Sequence, residues 1–298
     1  MPGPMEGVTE GSFCAVMSRR ALVRCWITPF IRLTTGVPRL VRLRSRLSVC
    51  TDSGLPVIVQ VMGTDGGLLA ATAARLASIS GVVGIDLNCG CPSPIVLRNG
   101  SGGRMLQNPK WIRDTLLAIR DAAPTLGVSV KLRTGFEAPE EMRDILPLVA
   151  EAKPDFVILH FRTVRERYHE VPEGWRRFDT ARALLPRTVL FGSGDLFDAK
   201  RCLELSDRHG LDGCAPARGL MRTPALCRDI ETLCRGEACL PKVENMDFLR
   251  EIAEEALLRG RTQTGFVLQL AGTMLGRESE AFHRLSHTRC LEELAAAL

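Results

Sequence analysis

Short, nearly continuous apolar runs recur along this chain with amphipathic segments between them, and that alternation leaves few folds open. The runs are CWITPF (25 to 30), PVIVQV (56 to 61), VVGIDLN (82 to 88), VSVKLR (128 to 133), DFVILH (155 to 160), TVLFG (188 to 192) and DGCAPA (212 to 217). A short first strand is expected at Gly3–Met5, which makes eight. Strands that are apolar throughout are covered on both faces, as in a parallel sheet. Between them, LLAATAARLASI (68 to 79) and PKWIRDTLLAIRDA (109 to 122) repeat apolar residues at three and four positions. Asn108 before Pro109 reads as a helix N-cap followed by proline at the first helical position. The expected fold is therefore α/β, a (β/α)8 TIM barrel. After about residue 222 the strand pattern stops, and 244–259, 264–275 and 279–297 read as helices. The expected division is a barrel over residues 1–233 and a small helical domain over 234–298, entered through CRGEACLPK (234 to 242).

Composition narrows the class further. No stretch reaches the roughly 18 uninterrupted apolar residues of a membrane span. The opening MPGPMEGVTEG lacks the basic-then-apolar order of a signal peptide, so a cytoplasmic protein is expected. Eleven cysteines, at 14, 25, 50, 89, 91, 202, 214, 227, 234, 239 and 290, form an odd, scattered set without a CxxC pair. That spacing argues against a disulfide framework and against a metal site. The net charge of +5 is unevenly placed: Arg32, Arg39, Arg42, Arg44 and Arg46 share one segment free of acidic residues. Arg162, Arg165, Arg167, Arg176 and Arg177 form a second cluster. Such clusters suit a polyanion such as nucleic acid, and equally a solvated surface.

In a barrel of this type the chemistry sits where strands end. Gln60, Asn88, Cys91, Lys131, Arg133, His160 and Arg162 all fall at such ends, as do GSGD (192 to 195) and ARG (217 to 219). The two glycine-containing turns follow the seventh and eighth strands, where barrels often hold a phosphate, and Arg218 could supply the counter-charge; a plain tight turn is the other reading. Lys131, His160 and Gln60 would bring a cation, a ring donor and an amide onto neighbouring strands, a set that suits a polar heterocycle.

The string DLNCGCPS (86 to 93), followed by NGSGGRML (99 to 106), resembles the active-site loop of the tRNA-dihydrouridine synthases. The resemblance runs through PMEGVT (4 to 9), VQVMG (59 to 63), KLRTG (131 to 135) and HFRT (160 to 163), with Tyr168 and Trp175 downstream, and covers about the first 220 residues. The CGCP doublet and the PMEGV opening look most like the bacterial C-type branch, which favours position 16 of the tRNA. Pro4, Met5, Glu6, Gln60, Lys131, His160, Ser193, Gly194, Asp195, Ala217, Arg218 and Gly219 match the family's FMN-binding segments. Cys91 matches its catalytic acid, and Asn88, Arg133 and Arg162 match residues that face the flipped uracil and the RNA.

The resemblance implies a two-part reaction; a monomer is expected. NADPH reduces FMN; a D-loop uridine of tRNA is then rotated into the site, where C6 takes a hydride and Cys91 protonates C5. A thiol with an ordinary pKa near 8.5 is protonated at neutral pH and can serve as that acid. Cys89, two residues earlier, is expected to be structural. Three departures stand out: Ser193 where the family has Asn, CAPARG where an apolar-Gly-Arg-Gly pattern is expected, and no Arg and Lys pair in a helix around 261–270. Two alternatives stay open, a flavin-dependent barrel acting on a free pyrimidine and an RNA-binding barrel that has lost its flavin.

Overall fold

The computed structural model describes residues 1–298. Its eight strands are β1 (Trp26–Ile27), β2 (Ile31–Arg32), β3 (Val57–Met62), β4 (Val82–Cys89), β5 (Gly127–Arg133), β6 (Phe156–His160), β7 (Leu190–Ser193) and β8 (Gly213–Cys214). All pairings are parallel, in the order β1-β3-β4-β5-β6-β7-β8, with β2 also beside β3. β1 and β2 are the two halves of the run expected at 25–30 and just beyond it. Pro29, which has no N–H to donate, lies in the break between them.

The expected strand at Gly3–Met5 is an extended segment rather than a regular strand. The Met1 ammonium donates to the Cys214 carbonyl (3.1 Å) and the Gly3 amide to the Pro216 carbonyl (2.7 Å), the two-residue spacing of a parallel ladder. Pro216 has no amide with which to return a bond. This segment thus takes the first-strand position of the barrel beside β8.

Side chains alternate along each strand, so every second residue faces the barrel interior. The lower interior is apolar, a cluster of Ile27, Ile58, Ile158 and Ala215 with Met1, Phe156 and Phe191 packed against it. One step further along the same strand faces the residues turn polar: Gln60 follows Ile58, and His160 follows Ile158. The register pairs Asn88 with Lys131 and Arg133 with His160, so these groups crowd one end of the barrel.

The surrounding helices follow the sequence closely. Helix Pro109–Ala122 starts where expected, with Asn108 accepting from the Trp111 amide (3.2 Å). Helix Gly66–Leu76 is capped by Asp65, which accepts from the Leu68 amide (3.0 Å). The C-terminal part forms helices Leu226–Cys234, Asn245–Leu258, Gly265–Ala271, Glu280–Ser286 and Leu291–Ala297, with a π-helical turn at Gly272–Gly276. These helices are not separated from the barrel by a polar layer. Phe13 on helix Gly11–Arg19 meets Trp26 of β1 and Phe248 edge-on, each at 6.2 Å, within one continuous apolar core. No helix is long and apolar enough to cross a membrane.

Candidate active site

The polar end of the barrel opens into a cavity of about 360 Å³. Pro4, Met5, Glu6, Gln60, Asn88, Cys91, Lys131, Arg133, His160, Ser193, Gly194, Asp195, Ala217, Arg218 and Gly219 all line it. Arg162 alone of the sequence-derived residues does not; it lies buried behind the wall. The structure adds Pro29, Phe30, Leu196, Phe197, Met221 and Gln269 to the lining, with Tyr168 at the mouth. Gln269 comes from helix Gly265–Ala271, in a stretch that carries no motif, and only the tertiary fold reveals it.

Cys91 sits on a loop built to hold it. The Asn88 carboxamide oxygen accepts from the Gly90 and Cys91 amides (3.1 Å each), and the Asn88 amide nitrogen donates to Gln60 (2.8 Å). Beneath the loop the Gly103 amide donates to the Cys91 carbonyl (3.0 Å). Gly102 has φ of +61°, and a Cβ there would lie 3.0 Å from the Cys91 Cβ; on Gly103 it would lie 2.9 Å from the Cys91 carbonyl. Close approach to Cys91 therefore explains Gly102 and Gly103, the last two glycines of NGSGG. Burial pushes the Cys91 thiol above its ordinary value, against opposing pulls from the Ser93 backbone, Arg133 and Lys131. The group is a protonated thiol at neutral pH. Cys89 ends β4 facing away, fully buried, and burial raises it well above the ordinary range.

Asp86, which the motif reading passed over, anchors the polar layer. It is buried and accepts from Gln60 Nε2 (2.7 Å) and Ser129 Oγ (2.8 Å); burial lifts its pKa to about 6. Its signal was a carboxylate two residues before Asn88 in an otherwise apolar strand, a costly placement unless hydrogen-bonded. Lys131 makes no ion pair, and burial, followed by the nearby Arg133, lowers it to about 8. The Arg162 amide donates to His160 Nδ1 (3.2 Å), which leaves the ring proton on Nε2. Burial and four surrounding cations keep His160 neutral. A cation without a protein partner and a neutral N–H donor share the cavity, and both suit a flavin, whose reduced ring carries negative charge.

The two glycine turns are shaped by close packing. Gly194 has φ of +112°, and a Cβ there would sit 2.5 Å from the Phe161 ring. On Gly219 a Cβ would lie 1.9 Å from the Leu196 carbonyl. Ser193 uses its hydroxyl to donate to the Ala215 carbonyl (3.1 Å), tying β7 to the segment after β8. The methyl of Ala217 is accommodated because residue 3 is glycine, where a Cβ would lie 3.2 Å from it. Both departures from the family pattern thus find local partners. Arg133 donates to the carbonyls of Gly90, Thr163 and Arg167 (2.8 Å each) and so ties the Cys91 loop to the loop after β6. Asp195 receives Arg162 and, at 2.8 Å, Arg218.

The two arginine clusters differ in kind. In the second, Arg162, Arg165, Arg176 and Arg177 each pair with a carboxylate, on Asp195, Glu137, Glu173 and Glu166. In the first, Arg32, Arg39, Arg42 and Arg44 have no acidic partner, and Arg46 donates to the Phe30 carbonyl (3.0 Å). Arg32, Arg39 and Arg42 line a polar groove with residues 33–38, immediately after β2. Phe30, at the head of this segment, lines the main cavity.

Comparison with known proteins gives the family. A family profile described as dihydrouridine synthase (Dus) matches residues 1–269. The tRNA-dihydrouridine(16) synthase of Vibrio cholerae is 33% identical over 256 residues, 83% of this chain and 77% of the relative. That of Escherichia coli K12 is 31% identical over 240 residues, 76% of this chain and 74% of the relative. The Salmonella typhimurium protein of the same name is 30% identical over 240 residues, with the same two coverages. The chain belongs to the dihydrouridine synthase family of flavin-dependent oxidoreductases.

Proposed function

We propose that this enzyme reduces a D-loop uridine of tRNA, at position 16, to 5,6-dihydrouridine, with FMN as its flavin and NADPH as the source of electrons. One observation carries the reading: a thiol kept protonated on a rigid loop shares a cavity with an unpaired cation and a neutral imidazole donor. Lys131, His160 and Gln60 would hold the flavin ring. The Ser193–Asp195 turn and Ala217–Gly219 would hold its phosphate, and Pro4 to Glu6 would close over one side. When bound, the flavin supplies the hydride that C6 of the uracil receives.

The remaining work belongs to side chains. Cys91 gives its proton to C5 as the C5–C6 double bond is lost, and is reprotonated from solvent. Asn88 and the paired glycines fix where that thiol stands. Arg133, which ties two loops of the mouth together, and Arg162, which holds Asp195, act as positioning residues for the substrate side of the cavity. The basic groove of Arg32, Arg39 and Arg42, unneutralised by the protein, supports a polyanionic substrate over a free pyrimidine. The expected domain boundary near residue 234 is retained as part of this proposal, with the C-terminal helices completing the mouth through Gln269.

Dihydrouridine mapping of tRNA from a strain lacking this enzyme tests the assignment. Loss of the modification at position 16, restored by the wild-type chain and not by Cys91→Ala, is the expected result. Loss at another uridine would keep the chemistry and change the target.

A further inference from the structure

Among the chain's Phe, Trp and Tyr side chains, only Tyr168 and Phe197 are prominently exposed, at 57% and 37%. Both stand at the mouth of the one cavity that holds Cys91. The Arg218 guanidinium lies 4.9 Å from the Tyr168 ring centroid and 6.0 Å from that of Phe197. Its position is fixed rather than free: Asp195 takes its hydrogen bond at 2.8 Å. Gly219 packs so closely on the Leu196 carbonyl that no Cβ fits between them, which holds the start of helix Arg218–Arg222 against the segment carrying Phe197. The Tyr168 ring packs against two guanidinium groups, Arg218 and, at 5.5 Å, Arg133; it and Phe197 nevertheless stay exposed at the cavity mouth, and exposed rings there mark a ligand surface.

We propose that Tyr168 and Phe197, held beside Arg218, form a stacking platform for a nucleotide adjacent to the target uridine, with Phe197 receiving the neighbouring base. The inference rests on the reading that the substrate is tRNA. A uridine turned into the cavity leaves its neighbours unstacked at the mouth. Aromatic rings and arginine planes are the surfaces on which single-stranded bases stack, without regard to their identity. The deeper groups, Lys131, His160 and Gln60, are committed to the flavin, so the rim is where a second nucleotide meets the protein.

The test combines a protein change with a substrate change. Phe197→Ala is expected to raise KM for tRNA about tenfold while flavin content and NADPH oxidation stay at wild-type values. Phe197→Tyr should restore KM, and Phe197→Leu, apolar without a π face, should not. In parallel, wild-type enzyme is given tRNA transcripts with an abasic site 5′ or 3′ of the target uridine. One of the two should show a similar rise in KM, and that rise should vanish in Phe197→Ala. An unchanged KM in Phe197→Ala, or losses that simply multiply, would overturn the platform. Should Phe197→Ala fail to fold, the abasic transcripts on wild-type enzyme decide alone: no rise with either refutes it. Failure of the wild-type enzyme to reduce intact tRNA would instead sink the assigned function.

Discussion

In the proposed reaction Cys91 acts only where a proton is needed, so its removal should separate two half-reactions. Cys91→Ala is expected to retain flavin and oxidise NADPH normally while tRNA reduction falls by about 100- to 10,000-fold. Dihydrouridine content and stopped-flow flavin oxidation measure the two halves; normal reduction by Cys91→Ala and loss in Cys89→Ala would reverse the assignment. Lys131 carries a different prediction. Folding lowers it to about 8 from 10.5, so the folded chain favours its neutral form. The resulting cost to stability is full below pH 8 and fades as pH rises toward 10.5. Lys131→Met should therefore raise the Tm of flavin-free protein at pH 7, by about 2–4 °C, and weaken FMN binding. Wild-type affinity for FMN should decline as pH rises through about 8; an identical pH profile in Lys131→Met would remove the residue from that role. Cys91, Lys131 and His160 were legible because they are polar residues at the ends of apolar strands. Asp86 and Gln269 were not: one is satisfied wholly by tertiary hydrogen bonds, the other reaches the cavity from a distant helix.

Among the elements, the loop and helix after β2 make the sharpest contrast with the rest of the surface. Helix Leu40–Thr51 buries Leu43, Leu47 and Cys50 and turns Arg42 and Arg44 outward, while Arg39 precedes it. Replacing Arg39, Arg42 and Arg44 together by Ala should weaken tRNA binding and make log K less steep in log salt, by up to about 0.9 per lost phosphate contact. NADPH oxidation should be unaffected, and an unaltered salt slope would assign the three to bare surface. Sequence alone could not choose between the two arginine clusters, because pairing with Glu137, Glu166, Glu173 and Asp195 is a property of the folded surface. Strand positions were easier to read, since a doubly covered strand is apolar along its whole length. Reading failed where proline interrupts the ladder, at Pro29 and Pro216, because a missing N–H shortens pairing without disturbing the apolar pattern.

For the molecule as a whole, the shared core of the barrel and C-terminal helices predicts one unfolding event. Phe248→Ala, which empties the space against Phe13, should lower stability by about 3–5 kcal/mol and shift a single calorimetric transition. Two separated transitions would show that the parts unfold independently. The first-strand segment has a consequence of another kind. Gly3 bonds to Pro216, and Pro4 to Glu6 face Ala217 to Gly219 across one cavity, so the cavity lies on the seam where the ends of the barrel's chain meet. Contacts so remote in sequence form slowly, because more than two hundred intervening residues must first be gathered in. During synthesis the cavity cannot exist until residue 219 has left the ribosome, however early Cys91 and Lys131 emerge. A ligand that grips both sides of the seam is then a latch on the barrel as much as a reagent, and its concentration relative to its Kd sets how far the equilibrium favours the closed ring.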